Sequence, residues 1–503
     1  MRMYRTLLAV CLLAAFAAAA TANADQIGFA KKQFISSTLA GGEPLAFADT
    51  KHGTLIYTSH EGTTHLYRNG FATIPVEWLA NYRDQVNTWY SKDNGKTWNL
   101  SELSGTGTNA TGFNARPDQN LGFSDPDLTQ DANGRVYNTG IDLANDAIFS
   151  SSDGGVTWDK GTAQCHEGDR PWLAGVAGDQ AFLATNTQAG QGTHEVYETT
   201  DGGNTCNSTP GDESGVTPDA GLVDEGTGYR GNGKLLWNPV LHELVEPVTG
   251  SAGVGVSTWK AGQTAFTHQA SAYKGSIFAH WPALAIDKAG TLYEVWDTSP
   301  SGTHNGGQGC PSTVTGGPTD TRTAPPNAVQ YAWSKDDGRT WSKPITVAGP
   351  TAGHIVFWPW IVAGDAGRIN IAWYETDRAV DIDCAPVTLN INDTTLLGAD
   401  EQNGGNAGDD DDTVDASGGS IHYGTVCQGG TTCVATGEDR RLGDFFTNAP
   451  DANGCVMIAS GDTTQWDNTT FTTMPISLPI IIRQNKGPSL YDGVNCANPT
   501  AGG

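Results

Sequence analysis

The chain has 503 residues, of which 17% are charged and 64 are glycine, a composition that suits a turn-rich β protein better than a helical one. Its 55 acidic and 28 basic residues give a formal net charge of −27, which argues against nucleic acid or an anionic membrane surface as partner and leaves room for bound cations. At the start of the chain, Arg2 and Arg5, an apolar run over residues 7–20 and the small residues Ala22-Asn23-Ala24 read as a signal peptide over residues 1–24, cleaved near Ala24. The protein is therefore expected to be secreted, to the outside of the cell or the periplasm. The run is too short for a membrane span, and no later stretch of about 18 apolar residues exists. Removing the leader takes away Arg2 and Arg5, so the mature charge is 26 − 55 = −29.

Eight of the nine cysteines remain after cleavage, an even number suited to an oxidising compartment. Their clustering suggests Cys165–Cys206, Cys310–Cys384, Cys427–Cys433 and Cys455–Cys496, although spacing alone leaves the connectivity open. A zinc site is disfavoured because no C-x2-C spacing occurs.

The motif S-x-D-x-G-x-T-W occurs in full at residues 91–98, 151–158 and 334–341, with a near copy at 199–206 and an eroded copy at 258–265. The spacings are 60, 48, 59 and 76 residues, the last containing the Gly/Pro/Thr-rich insertion 299–327. In each copy the Asp can accept backbone N–H groups, the Gly supplies a positive φ and the Trp anchors a tight turn. A second repeat precedes each box: a Pro-containing strand, a turn, then an apolar strand. It begins at 43–60, 125–142, 170–186, 233–248, 281–297, 358–377 and 441–462. Four strands per unit at roughly fifty residues is the arithmetic of a propeller blade. The expected fold is all-β, a single β-propeller over residues 25–483 with seven blades, or six if the eroded unit is a loop excursion; a sandwich would not explain the period. Residues 385–420, Asp- and Gly-rich, read as a long loop insertion, and 484–503 as a tail held by Cys496.

The boxes and the strand pattern together resemble the Asp-box (BNR) propellers of the sialidase-like superfamily over nearly the whole mature chain. The resemblance implies boxes joining the third and fourth strands of each blade, on the face away from the active site. It also implies an arginine triad gripping a carboxylate, a Tyr–Glu nucleophile pair and an acidic proton donor. Gly42-Glu43-Pro44 stands where the family has R-I-P, and Glu61-Gly62-Thr63 where it has E-G-R. Two family arginines are thus missing, which argues against ordinary sialidase catalysis. Asp84, beside Arg83, matches the acid, while Arg170, Arg230 and Arg441 begin later blades and would supply the grip. Tyr374 is the candidate nucleophile, but Glu375 follows it directly, so in a strand the two point to opposite faces.

Strand parity locates a site without the resemblance. Box turns and first hairpin turns are two reversals apart and share one face. The other face collects the ends of second strands, at Glu61, Asp142, Asp297, Asp377 and Asp462, and the starts of first strands, among them Asp125, Trp281 and Trp358. Carboxylates, arginines and tryptophans on one rim suit a glycan, with calcium as the cation such a rim would take and no cofactor required. The competing reading is that each Asp supports a turn and each Trp packs between blades. His52, His60 and His65 lack the zincin spacing, and the acidic run 409–412 reads as solvated charge before it reads as a calcium site. The expectation is a secreted monomer acting on or binding glycans, an exo-α-sialidase-like glycoside hydrolase if an enzyme. The alternative is a non-enzymatic extracellular propeller that binds a protein or peptide.

Overall fold

In a computed structural model, seven sheets of three to five strands follow one another along the chain. It describes residues 26–497 except 61–66, 69–70, 73–85, 104–123, 142–145, 160–167, 188–192, 209–229, 232, 251–252, 264–265, 279–280, 299–326, 351–352, 406–412, 431–432, 434–438, 468–471 and 474–475. The inner strands of blades I to VII are Leu45–Asp49, Leu128–Gln130, Gly168–Gly175, Leu236–Asn238, Ala283–Ile286, Val356–Ala363 and Thr447–Pro450. Each packs against the next, and Thr447–Pro450 packs against Leu45–Asp49, so the ring closes as a seven-bladed β-propeller. All regular elements among the described residues are strands. No helix among the described residues is long and apolar enough to cross a membrane.

The second strands explain the apolar runs of the sequence. Thr54–Ser59, Val136–Ile141 and Leu292–Asp297 are buried at every position, because a blade in a closed ring has a neighbour on both faces. Blade VII is completed by the other end of the chain: Gly28–Phe29 and Gln33–Phe34 pair with Leu478–Lys486. Lys32, between them, reaches Asp462 at 2.6 Å and the Ser420 carbonyl at 2.9 Å.

The box turns of blades I, III, IV and V join third and fourth strands, as the resemblance implies, whereas in blade II the strand after the box, Thr157–Trp158, pairs with Glu102–Leu103. In blade I, Asp93 accepts from the backbone and hydroxyl of Thr97 at 2.9 and 2.6 Å, while Gly95 N–H donates to Ser91 Oγ at 2.8 Å. Asp153, Asp201 and Asp336 make the same pair of bonds to Thr157, Thr205 and Thr340. The Thr97 bonds hold the Asp93 carboxyl down at about 2. In blade IV, where the Asp is lost, Gln263 Oε1 accepts from Lys260 N–H at 2.6 Å and the turn survives. These loops lie with the first hairpin turns, as parity requires: Thr54, just after the blade I hairpin, donates to the carbonyl of Gly154 in the blade II box.

Two disulfides match the expected pairs, Cys427–Cys433 and Cys455–Cys496. Cys206 and Cys384 are also disulfide-bonded; Cys165 and Cys310 lie outside the described residues. One expectation needs correction. The stretch 385–420, read as a loop, contains the eleven-residue strand Val387–Leu397, third strand of blade VI. Its V-T-L-N-I-N alternation buries one face and half-exposes the other, a period-2 pattern that the neighbouring Asp and Gly residues obscured. The acidic run 409–412 lies outside the described residues.

Candidate functional site

The starts of the inner strands share a local device. Glu43, Asp125, Arg170 and Trp358 each precede a proline and each has a positive φ, between 51° and 61° for the last three and 49° for Glu43. Proline disfavours the helical region for the residue before it, and a left-handed non-glycine residue costs roughly 1–3 kcal/mol. Four such residues at equivalent places are therefore held by their surroundings. The ladder slips at two of them, between Asp169 and Trp172 and between Phe357 and Trp360, which breaks side-chain alternation just where the strand meets the rim. Blade VII uses Gly443 (φ 74°) instead; a Cβ there would stand 2.2 Å from Cγ of Glu43.

The device brings charged groups from four blades together near the axis. Glu43 Oε2 accepts from Ser124 Oγ at 3.0 Å and from Asp125 N–H at 3.2 Å, and its Oε1 accepts from Asp444 N–H at 3.1 Å. Arg440 donates to Asp444 at 2.5 Å and lies 3.7 Å from Glu43. Arg170 Nη2 is 3.9 Å from Asp444, and its Nε is 3.9 Å from Asp169 with no hydrogen-bond partner among the described residues. Burial, and then the charges of Glu43, Asp169 and Asp444, push the Asp125 carboxyl well above the usual range, so it holds a proton that a surface aspartate would lose. Arg440 is buried, which works against its charge, but Asp444, Glu43 and Asp125 more than offset this and raise its pKa.

Beneath this cluster lies a floor of aromatic rings. Trp172, Trp281, Trp360 and Phe445, from blades III, V, VI and VII, meet with centroids 5.3 to 6.1 Å apart. The Arg170 guanidinium sits 4.8 Å above the Trp281 ring, a cation–π contact that fixes its plane. Lys234, 6.0 Å over Trp172, is taken by both oxygens of Asp127 at 2.5 Å.

Of the residues singled out from sequence, Asp125 and Arg170 come together in this cluster and Trp281 supports it from below. Trp281 and Trp358 are 6% and 3% exposed, so neither offers a free ring face; Trp358 Nε1 donates to Gln428 at 3.3 Å. Arg441 is buried one residue away from Arg440, with Nε and Nη2 donating to Asp439 at 3.0 and 2.6 Å. Tyr374 is fully buried, stacked on Phe446 at 4.2 Å with its hydroxyl 2.8 Å from Ser460 Oγ, and burial raises its phenol. Asp297 accepts the backbone N–H groups of Phe278 and Trp358, both at 3.0 Å. Asp462 is held by Lys32 and Thr464. Exposed Asp377 caps Thr388 N–H at 2.9 Å. Arg230 begins blade IV, its backbone paired with Thr249. Glu61, Asp84 and Asp142 lie outside the described residues.

Sequence reasoning missed Glu43, Arg440 and Asp444 as site groups. Alignment of the X-Pro steps would have found Glu43, whereas Arg440 and Asp444 precede an inner strand with no proline at its start. No group of three or more His, Cys, Asp or Glu side chains among the described residues is arranged to hold a metal.

No protein-family model matches the chain, and no curated protein matches it. Among solved structures, similar propellers include an α-L-arabinofuranosidase from Fusarium graminearum (12% identity, 92% of this chain and 97% of that one, TM-score 0.38). An intramolecular trans-sialidase from Ruminococcus gnavus matches at 13% identity over 92% and 96% with a TM-score of 0.35. YCF48 bound to D1 peptide matches at 13% over 92% and 97%, at 0.42. Identities and scores are low throughout, and the fold rests on the strand order rather than on these likenesses.

Proposed function

We propose that the protein is a secreted propeller of the sialidase-like, Asp-box kind whose rim binds a glycan bearing an anionic group. The observation that carries this reading is Arg170, poised over Trp281 with its side chain 21% exposed and flanked by Asp169, Asp125 and Asp444. A guanidinium held flat against an indole grips a carboxylate or sulfate in its plane. Carboxylates around it take sugar hydroxyls, and Asp125, whose carboxyl is pushed well above the usual range, is the candidate proton donor of the cluster. That proton suits general-acid chemistry on a glycosidic oxygen, which makes a glycoside hydrolase the enzyme class to test. The buried tryptophans remove ring stacking from the scheme, so selectivity rests on charge and hydroxyl geometry.

Binding to an array of neutral, sialylated, uronate and sulfated glycans tests the reading, followed by turnover of the matching fluorogenic glycosides. Retention of anionic glycans, lost in Arg170→Ala with an unchanged melting curve, supports it. Silence on the whole array removes it. The missing arginines at 42 and 63 favour a second reading, in which the rim holds a protein or peptide. A specific partner retained after deglycosylation would carry that alternative.

A further inference from the structure

Below the aromatic floor the axis is hollow. A cavity of 310 Å³ is lined by inner strands of six blades, including Phe47, Leu236, Leu284, Ala285, Ile361 and Ala363. The strand carrying Trp172 contributes to the floor and not to the lining. Exposure rises along the axis: Leu45, Leu284 and Trp360 are buried, whereas Ile286, Ala363 and Pro450, the last residues of their strands, are partly exposed. The cavity therefore opens at the hairpin end, opposite the rim. Its size falls at the lower edge of the range of small-molecule pockets, roughly 300–1,000 Å³.

We infer that this axial cavity is a second binding site, taking one small, neutral, apolar molecule of aryl or alkyl type. The charged and hydroxyl groups of the lining are already spent. Lys234 is neutralised by Asp127, Thr129 Oγ1 accepts from Gly175 N–H at 2.8 Å, and Thr447 Oγ1 donates to the Pro44 carbonyl at 3.0 Å. Asn448 donates to Asn370 at 2.6 Å, while its own Oδ1 is buried without a partner among the described residues. Ordered water needs two to four polar partners, and apolar cavities that cannot supply them take up apolar ligands. A charged ligand would find no counter-ion, since the cation present is already paired. This site is independent of the glycan reading, being separated from the rim by the aromatic floor.

The probe is N-phenyl-1-naphthylamine, which is neutral, carries one N–H and brightens in apolar surroundings. The expected result is a saturable, one-to-one rise in fluorescence. Ala285→Phe, which fills the cavity, and Ala363→Trp, which narrows its open end, should each weaken binding at least roughly tenfold with circular dichroism unchanged. Should Ala285→Phe fail to fold, Ala363→Trp carries the test alone, because that position is partly exposed. A non-saturable rise, or folded variants that bind as the wild type does, overturns the inference. Arg170→Ala should leave the probe titration unchanged, so loss of glycan binding and loss of probe binding are read separately.

Discussion

At the hairpin end of the ring, blades I, II, III and V repeat one set of hydrogen bonds, in which Asp93, Asp153, Asp201 and Asp336 each hold a Thr four residues on. At the rim the same repeat begins its inner strands with Glu43, Asp125, Arg170 and Trp358, four different side chains in one backbone conformation. Where the repeat preserves chemistry it is closing turns. Where it preserves only the strained backbone and varies the side chain, it is assembling unlike groups in one place. Backbone sameness with side-chain difference is therefore the better guide to a site than the conspicuous motif.

That contrast can be broken at graded depth. Trp172→Ala removes the ring that touches the other three of the floor and should cost about 3–5 kcal/mol in urea unfolding, with loss of glycan binding and of probe binding together. Arg440→Met leaves Glu43 and Asp444 without their shared buried cation, and a loss of about 3 kcal/mol is expected in urea unfolding. Glu294 sharpens the comparison from between the two ends. It is fully buried in blade V, and burial alone raises its carboxyl. An acid whose folded pKa is raised destabilises the fold as pH climbs from its unfolded value toward its folded one, by about 1.4 kcal/mol per unit. Glu294→Gln should flatten that part of the pH–stability curve and leave stability below pH 4 little changed. Asp153→Ala, in a box turn, should cost only about 1 kcal/mol and leave ligand titrations at both ends untouched; a change in either would show that the boxes do more than close turns.

Much of the architecture was legible because propellers write their period into the chain. Boxes, X-Pro steps and apolar second strands each recur, and parity alone placed boxes and first hairpins on one face. The site was legible only to the level of which rim to inspect. Arg440 and Arg441 are neighbours, and nothing local says that the first faces Glu43 while the second is spent on Asp439; a left-handed turn at Gly443 and a contact nearly four hundred residues away in sequence decide it. Trp281 and Trp358 were legible as rim residues but not as buried ones, since burial depends on rings supplied by other blades. Tyr374 stood out by its chemistry, yet Phe446 and Ser460 from the next blade enclose it.

The pairing of Gly28–Phe29 and Gln33–Phe34 with Leu478–Lys486 has a consequence for biogenesis. Gly28–Phe29 and Gln33–Phe34 have no partner strand until Leu478–Lys486 has been made, so blade VII cannot close before the six blades between them are already synthesised.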